Sequence, residues 1–406
     1  MGPTTGLKRL IFFVDDVNMP RPDTYGAQPV IELLRQYMDF GGLYDREHLF
    51  WKVIQDVIIV AACAPPGGGR NQLTPRFVRH FNLLNIPAPS EMSLSKIFRS
   101  IVDGFLRPFS ADIRPLGESI VNTSIEVYQR MCKELLPTPA KSHYTFNMRD
   151  LSKIIQGVLQ VRPNTMHTKV EMVKLLCHET SRIFHDRLID EPDRVYFHQV
   201  LLETTEKNFG IRKDDLNMRN VLFGDFMKRG VPAEDRLYVE LPDSKAVGTL
   251  LEEYLDDYNV SYSKEARLIF FADAQQHVAR ISRILRQPRG NALLVGVGGT
   301  GKQSLTRLAC HTADFTCFQI ELTRSYGVDE WREDLKKLSR LAGVDGKTTV
   351  FLLSDTQLKQ ESFLEDINGM FRALKYILSA LDSDADIKLL RHPNSHFEFW
   401  RGAKPV

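Results

Sequence analysis

No run of apolar residues in this chain approaches the roughly 18 to 20 needed to cross a bilayer, and the N-terminus has no basic-plus-apolar leader. The expectation is a soluble protein with no membrane partner. Charge of one sign is lacking too: 53 Lys and Arg stand against 51 Asp and Glu, a net charge of +2 over 406 residues. That balance argues against a nucleic-acid partner, which draws on a basic surface. Cysteine is scarce. Cys63, Cys132, Cys177, Cys310 and Cys317 are scattered with no C-x-x-C pair, so neither a disulfide framework nor a zinc ribbon is indicated. A reduced, cytosolic compartment is the simplest expectation. Cys177-His178-Glu179 begins like a zinc helix, but Arg182 occupies the position four after His178, so the triplet is read as helix surface. Cys310, His311 and Cys317 have no fourth ligand nearby, and no structural zinc is expected.

The length suits two or three domains of roughly 100 to 200 residues each. Leu10 to Val14 is a short apolar run that delivers Asp15 and Asp16 to its end, before a proline-broken stretch that no helix or central strand could include. Val30, Leu33, Leu34 and Tyr37 then recur at helical spacing, and Val57 to Ala62 reads as a second buried strand. Strand, helix, strand predicts a parallel α/β sheet over 1–92. From 93 to 220 the texture changes to amphipathic helices, for instance Leu151, Ile154, Ile155, Val158 and Leu159 on one face. Residues 221–246 read as a connector. A second α/β region over 247–368 runs helix, strand at Asn291 to Val295, glycine loop, helix, strand at Phe315 to Leu322, helix, and strand at Thr349 to Leu353 ending in Asp355. Residues 369–406 read as a divergent tail.

The loop carries the chemistry. Gly296-Val297-Gly298-Gly299-Thr300-Gly301-Lys302 fits G-x-x-x-x-G-K, in which glycines let backbone amides reach phosphate oxygens and the lysine takes the outer phosphates. The expected ligand is ATP or ADP with Mg. Gln303 stands where the pattern wants a metal-ligating Ser or Thr, although Ser304 follows, so the metal chemistry is expected to be altered. Asp355 fits the magnesium-organising carboxylate of the neighbouring strand. Thr356 then occupies the place of a water-polarising acid. Glu361 and Glu365 lie close by and are read as surface charges. In the first region Asp15 is the matching magnesium ligand and Asp16 the candidate water-polarising acid. Arg76 and Arg79 follow the second strand, where a cation can reach a neighbour's γ-phosphate. The two strand-tip acids Asp15 and Asp355 are 340 residues apart, as in large tandem modules. The chain is therefore expected to begin and end in mid-module, with no phosphate loop before Leu10.

Phe12-Phe13-Val14-Asp15-Asp16-Val17-Asn18-Met19-Pro20, with Tyr25-Gly26-Ala27-Gln28-Pro29, resembles the third AAA+ module of an axonemal dynein heavy chain. Gly296 to Leu305 and Phe351 to Asn368 resemble the fourth. The resemblance implies an α/β fold of AAA+ P-loop NTPase modules joined by an all-α small subdomain, in a six-module ring that moves on microtubules with ATP. It implies that Arg76 and Arg79 serve the preceding module's site, and that Arg149 is the small-subdomain sensor arginine. Ala64 stands where many AAA+ domains carry a polar sensor. The implied partners are the remaining heavy-chain modules, the intermediate and light chains, and microtubules through other parts of the chain. The implied setting is cytoplasm, cytoskeleton and ciliary axoneme. Two further functional readings are a non-catalytic scaffold stiffened by nucleotide and a nucleic-acid-dependent P-loop ATPase; charge balance disfavours the second.

Overall fold

Leu10–Val14 forms β1, and its β-branched and aromatic residues suit a pleated strand. In the computed structural model it pairs in parallel with β4, Val57–Ala61, in the register Leu10 to Val57 and Val14 to Ala61. The structure describes Gly2 and residues 9–67, 69–212, 221–233, 235–262, 265–288 and 290–372. Between the strands lie α1 (Pro29–Phe40) and an antiparallel pair, β2 (Gly42–Tyr44) with β3 (Trp51–Val53). Pro29 opens α1 and Gly41, at φ +69°, closes it by donating to the Tyr37 carbonyl at 2.7 Å. A short α2, Pro75–Val78, follows β4. Val17, Ile31 and Phe77 form the small core of this unit, Met1–Ala88. Val30 and Leu33 of the predicted stripe are exposed; Ile31 is the buried residue, so the apolar face is rotated from the one the spacing suggested.

The second compact unit, Pro89–Val406, opens with a helical array. It comprises α3 (Glu91–Leu106), α4 (Gly117–Glu134), α5 (Met148–Val158), α6 (Lys169–Ile183) and α7 (Glu191–Phe209). Capping explains the helix starts: Asn147 with Asp150 opens α5, and Thr168 with Glu171 opens α6, each by reciprocal side-chain and backbone bonds. The predicted stripe on α5 holds, with Leu151, Ile154, Ile155 and Val158 in one large core shared by all five helices.

The connector contributes a two-residue antiparallel pair, β5 (Phe223–Gly224) and β6 (Val239–Glu240), then α8 (Ser244–Ser261) and α9 (Ala272–Arg286). Helix α10 (Lys302–Thr312) packs on α9 and α8, burying Leu305, Leu308 and Ala309 with Val278 and Ile281. Strands β7 (Thr316–Phe318) and β8 (Thr349–Phe351) are parallel, connected through α11 (Val328–Gly343); α12 (Ser362–Arg372) follows. Trp331 stacks on Phe363 at 4.4 Å between ring centroids in the core beneath this pair.

The overall class is thus α/β with flanking helices, as the sequence implied, with one correction. Asn291 to Val295 is not a strand: it pairs with no strand among the described residues, and Leu293 and Val295 are 89% and 88% exposed. A strand is held by its neighbours' ladders, and an apolar run outside a ladder is not a strand. No helix among the described residues is long and apolar enough to cross a membrane. The expected tail lies almost wholly outside the described residues.

Candidate functional site

The loop before α10 has the backbone its glycines permit. Gly299 and Gly301 sit at φ +81° and +78°, a region that costs any residue with a Cβ about 1–2 kcal/mol. Gly301 is the N-cap of α10 and makes no side-chain cap, so the amides of the first turn keep their donors for a ligand at the positive end of the helix. Lys302 folds back over the loop, and its Nζ donates to the carbonyls of Gly296 and Val297, both at 2.7 Å. The Thr300 hydroxyl donates to the Val297 carbonyl at 2.9 Å. Gly296, Val297, Gly298, Gly299 and Thr300 therefore curl around the ammonium.

Gln303 is exposed and turns away from the loop: its Oε1 lies 3.5 Å from Arg307 Nη2 one helical turn on. The same nitrogen donates to Gln319 Oε1 at 2.5 Å, just past β7. Beside it, the Gln357 amide donates to the Ile320 carbonyl at 2.7 Å, and Gln357 Oε1 accepts from the Ser354 amide at 2.8 Å. Polar side chains thus link the loop helix, the end of β7 and the turn that bears Asp355. Asp355 itself is exposed, with no hydrogen bond or ion pair to its carboxylate among the described residues. The Thr356 hydroxyl lies 3.0 Å from the Ser354 hydroxyl. Glu361 and Glu365 are exposed, consistent with solvated charges. Arg307, Gln319 and Gln357 were not picked out by sequence; only the i, i+4 spacing of Gln303 and Arg307 hinted at them.

Within the first unit Asp15 and Asp16 follow β1 directly. Asp15 Oδ1 accepts from the Asp16 amide at 3.0 Å, and Asp16, at φ +49°, faces Arg70 at 3.4 Å. Asn18 Nδ2 donates to the Ala64 carbonyl at 2.8 Å, so a polar side chain reaches the end of β4 where Ala64 offers none. The arginine pair divides. Arg79 is bound to Asp39 at 2.8 Å, whereas Arg76 is exposed with no side-chain partner among the described residues. Burial raises the Asp39 carboxyl, but Arg79, His80 and Arg35 outweigh it and hold the group below its usual range. Arg149 is exposed in the first turn of α5, and its amide donates to Asn147 at 2.8 Å.

The triplet read as helix surface is instead buried in the helical unit. Cys177 and Glu179 are 0% exposed and His178 3%. Glu179 on α6 receives a two-toothed ion pair from Arg283 on α9, with Nε 3.0 and 3.1 Å from its two oxygens and Nη2 closing the fork, and a hydrogen bond from Tyr238 at 2.7 Å. Space for the carboxylate comes from Gly157 on α5, where any Cβ would lie 1.8 Å from Glu179 Oε2. Burial, reinforced by Arg182, Arg283 and Arg280, pushes His178 well below the usual imidazole range, and its Nδ1 lies 3.1 Å from the Val221 carbonyl. Burial, with the Glu179 charge behind it, pushes the Tyr238 phenol up.

A glycine loop opening a helix, over a parallel strand pair that ends in an acid, defines a P-loop nucleotide-binding module. Family models agree on the kind. Residues 266–375 match the "P-loop containing dynein motor region D4", residues 1–89 the "P-loop containing dynein motor region", and residues 120–219 the "AAA+ lid domain". Among curated proteins, human dynein axonemal heavy chain 6 is 56% identical over 370 residues, covering 91% of this chain and 9% of the relative. Mouse dynein axonemal heavy chain 1 is 46% identical over 406 residues, 96% of this chain and 10% of the relative. The Chlamydomonas reinhardtii dynein-1-beta heavy chain of the flagellar inner arm I1 complex is 45% identical over 370 residues, 90% and 8%. The chain belongs to the axonemal dynein heavy chain family and spans about a tenth of the length of these relatives. Its setting is that of the family, the ciliary axoneme and the cytoskeleton.

Proposed function

We propose that this chain contributes an ATP- or ADP-holding segment to the motor ring of an inner-arm axonemal dynein, and through it takes part in ATP-driven, minus-end-directed movement on microtubules. The Lys302 loop carries this reading, because its left-handed glycines, uncapped helix start and inward ammonium form a phosphate cradle. Lys302 holds the outer phosphates and the amides from Gly298 to Ser304 hold the rest. Magnesium, if bound, would supply positive charge to the phosphates; Asp355 would offer it a hard oxygen donor and Ser304 a hydroxyl. The site is read as regulatory and weak in turnover. Gln303 offers no hydroxyl and is turned toward Arg307, and the residue after Asp355 is Thr356, which cannot take a proton from water at neutral pH.

In the same reading, Asp15 orients magnesium and Asp16 polarises water in the first module. Arg76 and Arg79 serve the preceding module's nucleotide, Arg76 being the one with no ion pair among the described residues, and Arg149 senses nucleotide in its own module. The segments 1–92, 93–220, 221–246 and 247–368 are the working division into large subdomain, small subdomain, connector and next large subdomain. The partners are the remaining heavy-chain modules, the intermediate and light chains, and microtubules reached through other parts of the heavy chain. Titration with a fluorescent ADP or ATP analogue tests the site: Lys302→Ala should abolish binding, and equal affinity in the two proteins would sink the reading. A purely structural role for nucleotide is favoured by Thr356, Gln303 and Ala64, each standing where a hydrolysing site would place a different group. Nucleotide-dependent melting without phosphate release would support it, and release lost on Asp355→Ala would support turnover.

A further inference from the structure

The parallel pair that leads to Asp355 ends on an interrupted ladder. Its bonds run from the Thr316 amide to the Thr348 carbonyl and from the Leu352 amide to the Phe318 carbonyl, each at 2.9 Å. The next rung in that evenly spaced series would carry the Ser354 amide to the Ile320 carbonyl. Both groups are present, but the side-chain amide of Gln357 stands between them. Its Oε1 accepts from the Ser354 amide at 2.8 Å and from the Ser354 hydroxyl at 3.0 Å, and its Nε2 donates to the Ile320 carbonyl at 2.7 Å. Gln357 is 5% exposed, so little water competes for these bonds. A side chain has replaced a backbone rung, and the chains leaving β7 and β8 are spread by the width of one amide.

Ligands of open parallel sheets sit beyond the carboxyl ends of the strands. Asp355 lies there, in the single turn Asp355–Gln357. Its carboxylate makes no hydrogen bond or ion pair among the described residues, so its direction is inherited from the turn. The Gln357 amide ties that turn to Ile320. Gln319, the residue before Ile320, accepts from Arg307 on α10, the helix that Lys302 opens. We propose that Gln357 is a positioning residue of the nucleotide site: its inserted amide holds the strand ends apart and aims the Asp355 carboxylate toward magnesium on the phosphates. This rests on the nucleotide reading above and adds the residue that sets the direction of its acid.

Titration of the full chain with a fluorescent ADP analogue, in magnesium and in chelator, tests it. The Gln303→Ser background is used, where the restored hydroxyl should give a roughly tenfold preference for magnesium. Gln357→Met keeps the length and loses all three bonds. Added to that background it should cut the preference to within about twofold, as Asp355→Ala should, with affinity in chelator unchanged. The two changes together should lose no more than either alone, because one acts through the other. Gln357→Glu keeps the acceptor for Ser354 but turns an oxygen on the Ile320 carbonyl; it should act in the same direction, and it decides the matter if the Met variant melts early. A full preference in both Gln357 variants would overturn the proposal. So would an equal loss of affinity in magnesium and in chelator, the mark of a merely structural role, or a Gln303→Ser chain with no magnesium preference to lose. Equal binding by Lys302→Ala and the parent would instead remove the nucleotide reading itself.

Discussion

Replacing Glu179 by Gln keeps the shape of the side chain and removes its charge, leaving the Arg283 guanidinium enclosed without a counter-charge. Both side chains are almost fully covered, at 0% and 4% exposure, so water cannot replace the lost partner. Breaking such a pair from one side costs about 3–5 kcal/mol, against about 0–1 kcal/mol for an exposed pair. With a urea slope near 3 kcal/mol/M, the unfolding midpoint should fall by about 1 to 1.7 M at unchanged slope. Urea unfolding followed by circular dichroism measures this directly. Replacing both residues by Met, which removes both charges and keeps the volume, should restore most of the loss. If Glu179→Gln lowers stability by less than about 1 kcal/mol, the pair behaves as a surface contact and the reasoning is wrong. Gly157→Ala should also be costly, by about 1–3 kcal/mol, because the new methyl meets the same carboxylate.

Acidification should weaken the helical unit through His178. Its folded pKa is depressed, so the unfolded chain binds the proton first, and stability should fall as pH drops below about 6.5; a melting series should be flatter in His178→Gln. Gln303→Ser should restore a hydroxyl beside the phosphates and make nucleotide affinity depend on magnesium by roughly tenfold, about 1.4 kcal/mol, in titrations with and without chelator. An unchanged magnesium dependence would remove Gln303 from the explanation. Gly301→Ala meets no close atom, Leu305 being 3.7 Å away, so its cost is conformational: about 1–2 kcal/mol, or roughly 5- to 30-fold in nucleotide affinity.

The shape of the glycine loop was readable in the sequence because it is local: seven consecutive residues set the backbone and place the lysine. The α5 stripe was readable for the same reason, since one helix face repeats within a few residues. Glu179 was not, because its partner Arg283 lies 104 positions away and a charged residue in a helix reads as surface until that partner is seen. Val30 and Leu33 misled because spacing marks an apolar face without saying which edge of it meets the core. Arg76 and Arg79 were equal in the sequence and are separated only by Asp39, a contact 40 residues back along the chain. Asn291 to Val295 read as a strand from its composition, but strandness belongs to pairs.

That last segment bears on how the chain must be handled. Leu293 and Val295 are bare, and on β1 Ile11 and Phe13 are 61% and 65% exposed. Extended apolar backbone with open hydrogen-bonding edges is a template for any similar segment it meets. A concentrated preparation of these 406 residues alone should therefore associate in a concentration-dependent way and bind an extrinsic apolar dye. Replacing Leu293 and Val295 by Lys should suppress both without changing the Lys302 contacts to the Gly296 and Val297 carbonyls.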